Sequence, residues 1–226
     1  MSEAFERIAH AVAQVGRTER AGVLTVSVEP SFAARWLVLR LGRFRAAHPG
    51  IELRLSPSET PVDLEREDVD LAVRYGRGGW PGLRADLLMH ARVFPVCSPG
   101  LLAVGPPLAE PADLRHHTLL HEDSDTYWRD WLAAAGASEV EASRGPRFAT
   151  AHLALAAAAA GQGVALADDA LAAADLAEGR LVRLFAIEIA TDQGYWLLAP
   201  VRSCGRPKVE AFRAWLLGEA RGEKPG

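Results

Sequence analysis

Two hydroxyl side chains in this sequence stand where a strand pattern gives way to a helix pattern: Ser31, after Val23 to Val28, and Thr150, after Arg147 to Ala149. A helix start presents N–H groups with no acceptor inside the helix, together with the positive end of the helix dipole. Each position is therefore suited to hold a carboxylate or a phosphate. The plainer alternative is that each hydroxyl only caps its own helix. Two such starts facing one cleft could grip a single anion from both sides, with His152 adding a donor or facing solvent. In an open parallel sheet, ligands lie beyond the carboxyl ends of the strands. That rule selects Glu29, Ser31 and Phe32 in the first turn, Ser58 and Thr60 in the Ser56 to Thr60 turn, and the Tyr75-Gly76 corner.

Other chemistries find less support. His116, His117, His121 and Glu122 could be read as metal ligands, but the adjacent pair falls in a loop and strand start and no His or Cys pair has zinc-finger spacing. A metal site needs three or four convergent ligands, so no metal and no cofactor is expected. The sequence contains no G-x-S-x-G elbow, P-loop, C-x-x-C or H-E-x-x-H. Glu29 and His121 are the only acid and base candidates for an enzyme acting on small acids, and His121 joins the candidate ligand contacts. Cys97, on an apolar strand, reads as a small filler of the core.

The elements that would position these residues alternate. Val23 to Val28 is a strand, Pro30 to Ala47 a helix, Ile51 to Ser56 a half-wet strand suited to a sheet edge, Val62 to Glu67 a short helix, and Val69 to Tyr75 a third strand. This spacing predicts parallel βαβ units. After a strand at Arg92 to Ser98 the alternation restarts, with strands at Thr118 to His121, Arg147 to Ala149, Val164 to Leu166, Leu181 to Phe185 and Tyr195 to Ala199. Helices are expected over Asp125 to Ala135, Thr150 to Ala160, Asp168 to Leu176 and Pro207 to Ala220. Two α/β lobes imply a cleft between them. Within the first helix, Leu37, Leu41 and Phe44 form one apolar stripe, while Phe32, Trp36 and Leu39 form a second. A surface helix needs one stripe, so the second lines the cleft or meets another subunit, with Trp36 as anchor. Residues 2 to 17 carry Phe5, Ile8, Val12 and Val15 at coiled-coil spacing, the mark of a helix that pairs with another chain or continues a longer one.

Composition sets the outer bounds. Of 226 residues 49% are apolar and 24% charged, enough burial potential to exclude disorder. The 25 basic and 29 acidic residues leave a net charge of −4, unfavourable for binding nucleic acid, whose affinity comes from clustered cations. Only Lys208 and Lys224 are lysine. Two cysteines form no disulfide framework, and no export signal or stretch long enough to span a bilayer stands out, so a cytoplasmic, membrane-free protein is expected.

Several runs together carry a family likeness: Val28-Glu29-Pro30-Ser31-Phe32-Ala33-Ala34-Arg35-Trp36-Leu37, Arg43-Phe44-Arg45-Ala46-Ala47-His48-Pro49 and Glu67-Asp68-Val69-Asp70-Leu71-Ala72-Val73-Arg74-Tyr75-Gly76. Phe94-Pro95-Val96-Cys97-Ser98-Pro99, Gly161-Gln162-Gly163-Val164-Ala165-Leu166 and Phe212-Arg213-Ala214-Trp215-Leu216 follow in order. The set resembles the effector-binding domain of LysR-type transcriptional regulators, in the branch that includes the glycine-cleavage activator and the β-lactamase regulator. The resemblance implies an α/β fold like the type 2 periplasmic binding proteins: two Rossmann-like lobes joined by two crossover strands, with a ligand cleft between them. Residues 1–19 would end a linker helix, 20–98 with 200–221 would form lobe I, and 99–199 lobe II.

The resemblance further implies that Ser31, the Ser56 to Thr60 turn with Ser58 and Thr60, Tyr75, Gly76 and Thr150 fall where the family contacts its effector; Glu29, Phe32, His121 and His152 complete the candidate ligand contacts. It gives Phe32, Trp36 and Leu39 to a dimer interface. Relatives often carry a small polar residue in place of Glu29, and Asp or Ser near His152. The extra carboxylate suggests an effector bearing an amine, such as an amino acid or peptide. The chain is thus expected to be the sensing and dimerising portion of a regulator, not an enzyme, that binds a small anionic or zwitterionic metabolite. It would work as a homodimer, or a tetramer at full length, and reach DNA only through an N-terminal winged helix-turn-helix outside this sequence. A solute-binding protein, or a small-acid enzyme, on the same fold is the alternative.

Overall fold

The computed structural model describes residues 22–59, 69–122 and 124–222. The helix expected over 2 to 17, the one over 62 to 67, and Thr60 lie outside the described residues. In chain order come β1 (Gly22–Val28), a helical stretch ending in α2 (Leu41–Ala47) and opening with α1 (Pro30–Phe32), β2 (Ile51–Pro57), β3 (Leu71–Gly76) and β4 (Leu83–Cys97). Then follow α3 (Pro99–Val104), β5 (Leu119–Glu122), α4 (Thr126–Ala134), β6 (Arg147–Phe148), α5 (Ala151–Ala159), β7 (Val164–Asp168), α6 (Asp169–Ala177), β8 (Val182–Arg183), β9 (Ile189–Pro200) and α7 (Pro207–Gly222). Among the described residues no helix is long and apolar enough to cross a membrane.

The chain divides into two compact units, one holding residues 22–29, 40–59, 69–89 and 194–222, the other 30–39 and 90–193. In the first, β1 pairs in parallel with β2 on one side and β3 on the other, and β3 pairs antiparallel with the second half of β9. Leu24, Val26 and Val28 of β1 are buried at every second position, the period of a pleated strand. β2 is the edge strand its alternation predicted. Phe44 of α2 meets Phe212 and Trp215 of α7 at ring distances of 5.2 and 5.1 Å. Polar contacts fasten α7: Arg213 donates to both Asp86 oxygens at 2.6 and 2.5 Å, and Lys208 donates to Asp70 at 2.8 Å. A turn from 77 to 82 lays Trp80 against Trp196, and Gly78, at φ 87°, is required there because a Cβ would come within 2.9 Å of the Trp196 ring.

In the second unit β7 lies between β5, parallel to it, and the second half of β4, antiparallel; β6 extends β5 and β8 pairs with the end of β4. Trp128 and Trp131 of α4 fill the core against Leu114, Leu119 and Val164, and each indole N–H finds a carbonyl, of Leu120 and Ile187 respectively. That pairing lets an aromatic with a polar edge be fully buried. The buried alanines of α5 (Ala154, Ala157, Ala158) allow it to lie close to its strands.

Several features differ from the sequence reading, beginning with β4 and β9, which start at Leu83 and Ile189 and not at Arg92 and Tyr195. The helix over 30 to 47 is not uniform: Ala33–Leu37 is a π-turn, closed by the Val38 N–H bonding Ala33 O, and Val38–Arg40 a 3₁₀ turn. The two apolar stripes do not survive as stripes: Leu37 is buried in the second unit with Phe32 and Trp36, Phe44 is buried in the first, and Leu39 is exposed. The first piece therefore belongs with the residues assigned to the second lobe, and the units exchange inside β4 (89/90) and β9 (193/194), not at 98/99 and 199/200. Finally, α3 was not anticipated, although Ser98 caps it through the Leu101 N–H (3.2 Å) and Pro99 opens it.

Candidate functional site

In the second unit the structure brings Ser31 and His152 together. Ser31 is buried, and its Oγ accepts from the His152 backbone N–H at 3.2 Å and lies 3.3 Å from His152 Nδ1. His152 is the second residue of α5, so this N–H has no acceptor inside the helix. Thr150 holds the N-cap position with extended backbone, yet its hydroxyl makes no capping bond. Thr150 Oγ1 is buried with no hydrogen-bond partner. Ser31 therefore caps a helix, but a different one from that which it opens. A buried hydroxyl beside a half-capped helix start, with an imidazole attached, is an anion-binding chemistry.

His121, the third residue of β5, is fully buried, with Nε2 3.1 Å from Arg144 O and Nδ1 without a partner. Gly145 makes that approach feasible: at φ 133°, a Cβ there would fall 1.9 Å from Leu119 O. Its imidazole is tied into the β5–β6 connection. Among the described residues no group of His, Cys, Asp and Glu is arranged to hold a metal ion, and His116 Nε2 accepts from Arg115 at 2.9 Å. Burial pushes the Cys97 thiol up to about 11, which leaves it protonated and inert at neutral pH.

In the first unit, Glu29, Ser58 and Tyr75-Gly76 lie together at the carboxyl ends of β1, β2 and β3. The Glu29 N–H donates to Val73 O and the Ser58 N–H to Val28 O, both at 3.0 Å, which fixes the ends of the three strands in register. Tyr75 sits opposite Tyr195 with ring centres 5.1 Å apart, and Gly76 O accepts from the Trp196 indole at 3.0 Å.

The interface expectation changes. Phe32 and Trp36 are fully buried and stack on each other at 4.8 Å, because their turn packs on α5 and α6. Neither offers surface to a partner subunit. Leu39, 60% exposed, and its neighbour Val38, 51%, do.

Sequence reasoning missed the polar groups that hold these turns. Arg35 donates from Nε to Leu171 O (3.2 Å) and pairs with Asp175, which is 2% exposed and also accepts from Arg180 Nε at 2.7 Å. Asp70 accepts from the Thr25 N–H, Arg206 and Lys208. Ser27, buried on β1, accepts from Arg74 at 2.7 Å. A charged residue in the middle of an otherwise apolar helix, as at Asp175, is the signal that was available.

Comparison with known proteins gives a consistent result. The LysR substrate binding domain profile matches residues 17–221. The glycine cleavage system transcriptional activator of Escherichia coli K12 is 38% identical over 224 residues, which is 99% of this chain and 73% of that protein. The effector domain of the transcriptional regulator AmpR of Pseudomonas aeruginosa superposes with a TM-score of 0.75 at 39% identity, covering 89% of this chain and 96% of that one. The AmpR effector binding domain of Citrobacter freundii gives 0.77 at 29% identity, covering 89% and 99%.

Proposed function

Because the chain belongs to the LysR family of transcriptional regulators, as its substrate-binding or effector-binding domain, we propose that the effector is a small carboxylate or zwitterion held at the start of α5. The relatives are regulators rather than enzymes, and ligand binding that modulates regulation is the family's role. The observation that carries the proposal is the pair of hydroxyls at one helix start. Ser31 Oγ already lies on the His152 amide at 3.2 Å, while Thr150 Oγ1 is buried without a partner. An effector carboxylate accepting from Thr150 and the first-turn N–H groups would satisfy the orphaned hydroxyl and complement the dipole. Glu29, two residues before Ser31, supports an amine on the same molecule, as an amino acid or peptide carries.

His121, near the carboxyl end of β5 in the same unit, remains a candidate contact in this reading. The effector acts through differential affinity for two states of the regulator. We assign the homodimer contact to Val38 and Leu39, and DNA contact in the cytoplasm to a winged helix-turn-helix elsewhere in the regulator.

Calorimetry tests the site, after a thermal-shift screen over amino acids, small carboxylates and peptidoglycan fragments has supplied a ligand. Thr150→Ala is expected to weaken binding by about tenfold, the worth of one charge-assisted hydrogen bond. Unchanged affinity in both Thr150→Ala and Ser31→Ala would remove α5 from the site.

A further inference from the structure

We propose that Arg35 and Asp175 are positioning residues for the effector site, holding Ser31 Oγ on the first turn of α5 by way of the π-turn. The proposal rests on Ser31 belonging to that site. Ser31 reaches the His152 amide only if residues 30–37 are fixed on the second unit, to which they belong. Two kinds of contact fix them. Burial of Phe32 and Trp36 where their turn packs on α5 and α6 removes apolar area from water, which attracts without setting direction. Arg35 supplies direction: Nε bonds Leu171 O at 3.2 Å and the guanidinium pairs with Asp175, both on α6. A forked guanidinium held by a carbonyl and a carboxylate fixes both distance and angle.

Arg35 lies four residues after Ser31, so the two share a side of the helical turn. A shift at Arg35 is therefore delivered to Ser31. Asp175 is oriented in its turn, since its other oxygen is taken by Arg180. A buried ion pair contributes no more stability than an apolar pair of similar size would, so fastening alone gives little reason for this arrangement. Setting the place of a hydroxyl gives one.

The test needs no ligand, so its failure is distinct from failure of the proposed function. The His152 N–H has no intrahelical acceptor, and its protection from hydrogen exchange reports the Ser31 contact. The Leu155 N–H, further along α5, reports the stability of the helix itself. In the full chain, Ser31→Ala is expected to raise the His152 rate relative to Leu155 by about fivefold, the worth of one neutral hydrogen bond. Asp175→Asn and Arg35→Gln are expected to raise the same ratio to the same extent, and Arg35→Lys to restore it only in part. Each double variant with Ser31→Ala should equal Ser31→Ala alone. If Asp175→Asn does not fold, Arg35→Gln, at a partly exposed side chain, decides the question. A His152 to Leu155 ratio unchanged in Arg35→Gln, or effects that add in the double variant, would overturn the proposal.

Discussion

Lys208 shows how much one side chain can carry. In a chain whose cations are otherwise arginine, except at Lys224, this side chain is 12% exposed and its ammonium is placed between Asp70 and the Val23 carbonyl. A compact ammonium fits two acceptors at that separation, whereas a planar fork needs them spread. Lys208→Arg is therefore expected to cost about 1–2 kcal/mol, more than a surface exchange. Asp70→Ala removes the acceptor for Thr25, Arg206 and Lys208 together and is expected to cost about 3 kcal/mol. Urea midpoints for both variants check this, with the slope unchanged. Residue types at the candidate site were legible in the sequence, since strand ends followed by Ser or Thr are a local signal. Their pairing was not: Ser31 and His152 are 121 residues apart, and nothing local says that one will cap the helix of the other. Arg35, Asp175 and Asp70 escaped for the same reason, as each meets its partner only in the folded chain.

At the scale of elements, α7 is fastened to β4 by the Arg213–Asp86 pair. Hydrogen bonding from Arg213, aided by the nearby charges of Arg213 and Arg84, holds the Asp86 carboxyl below the usual range. A carboxyl whose folded pKa is depressed adds stability that is complete above its unfolded value, near 3.9, and is lost as pH falls through the folded one. Acid unfolding should thus steepen below about pH 4, and Arg213→Ala should lessen the pH dependence there while lowering stability at pH 7. Thermal midpoints between pH 2 and 7 decide it. The strands were legible from alternation and their parallel pairing from spacing. The first halves of β4 and β9 were not, because both are half-buried runs with mixed polarity. The π-turn was hidden as well: the two ends of the segment are claimed by different units, while a periodicity reading treats it as one helix and joins Leu37 to Leu41 and Phe44 across the break.

For the whole molecule, self-association is expected to depend on the exposed Val38-Leu39 pair. Leu39→Asp should lower the sedimentation coefficient at micromolar concentration without changing the melting temperature, since the residue is 60% exposed within the chain. The interleaved composition of the two units bears also on the order in which the protein comes into being. Residues 30–39 leave the ribosome before the rest of a unit whose last residue is 193, while residues 22–29 can pair with β2 and β3 but belong to a unit whose last segment starts at 194. Neither unit can close from a contiguous nascent stretch, and at about 5–20 residues per second the early segments remain without the rest of their unit for many seconds. A regulator built this way has both units of its sensor only after the segment from 194 has been made. A chain stalled before 194 could complete the unit that carries Ser31 and Thr150 but not the unit built around β1.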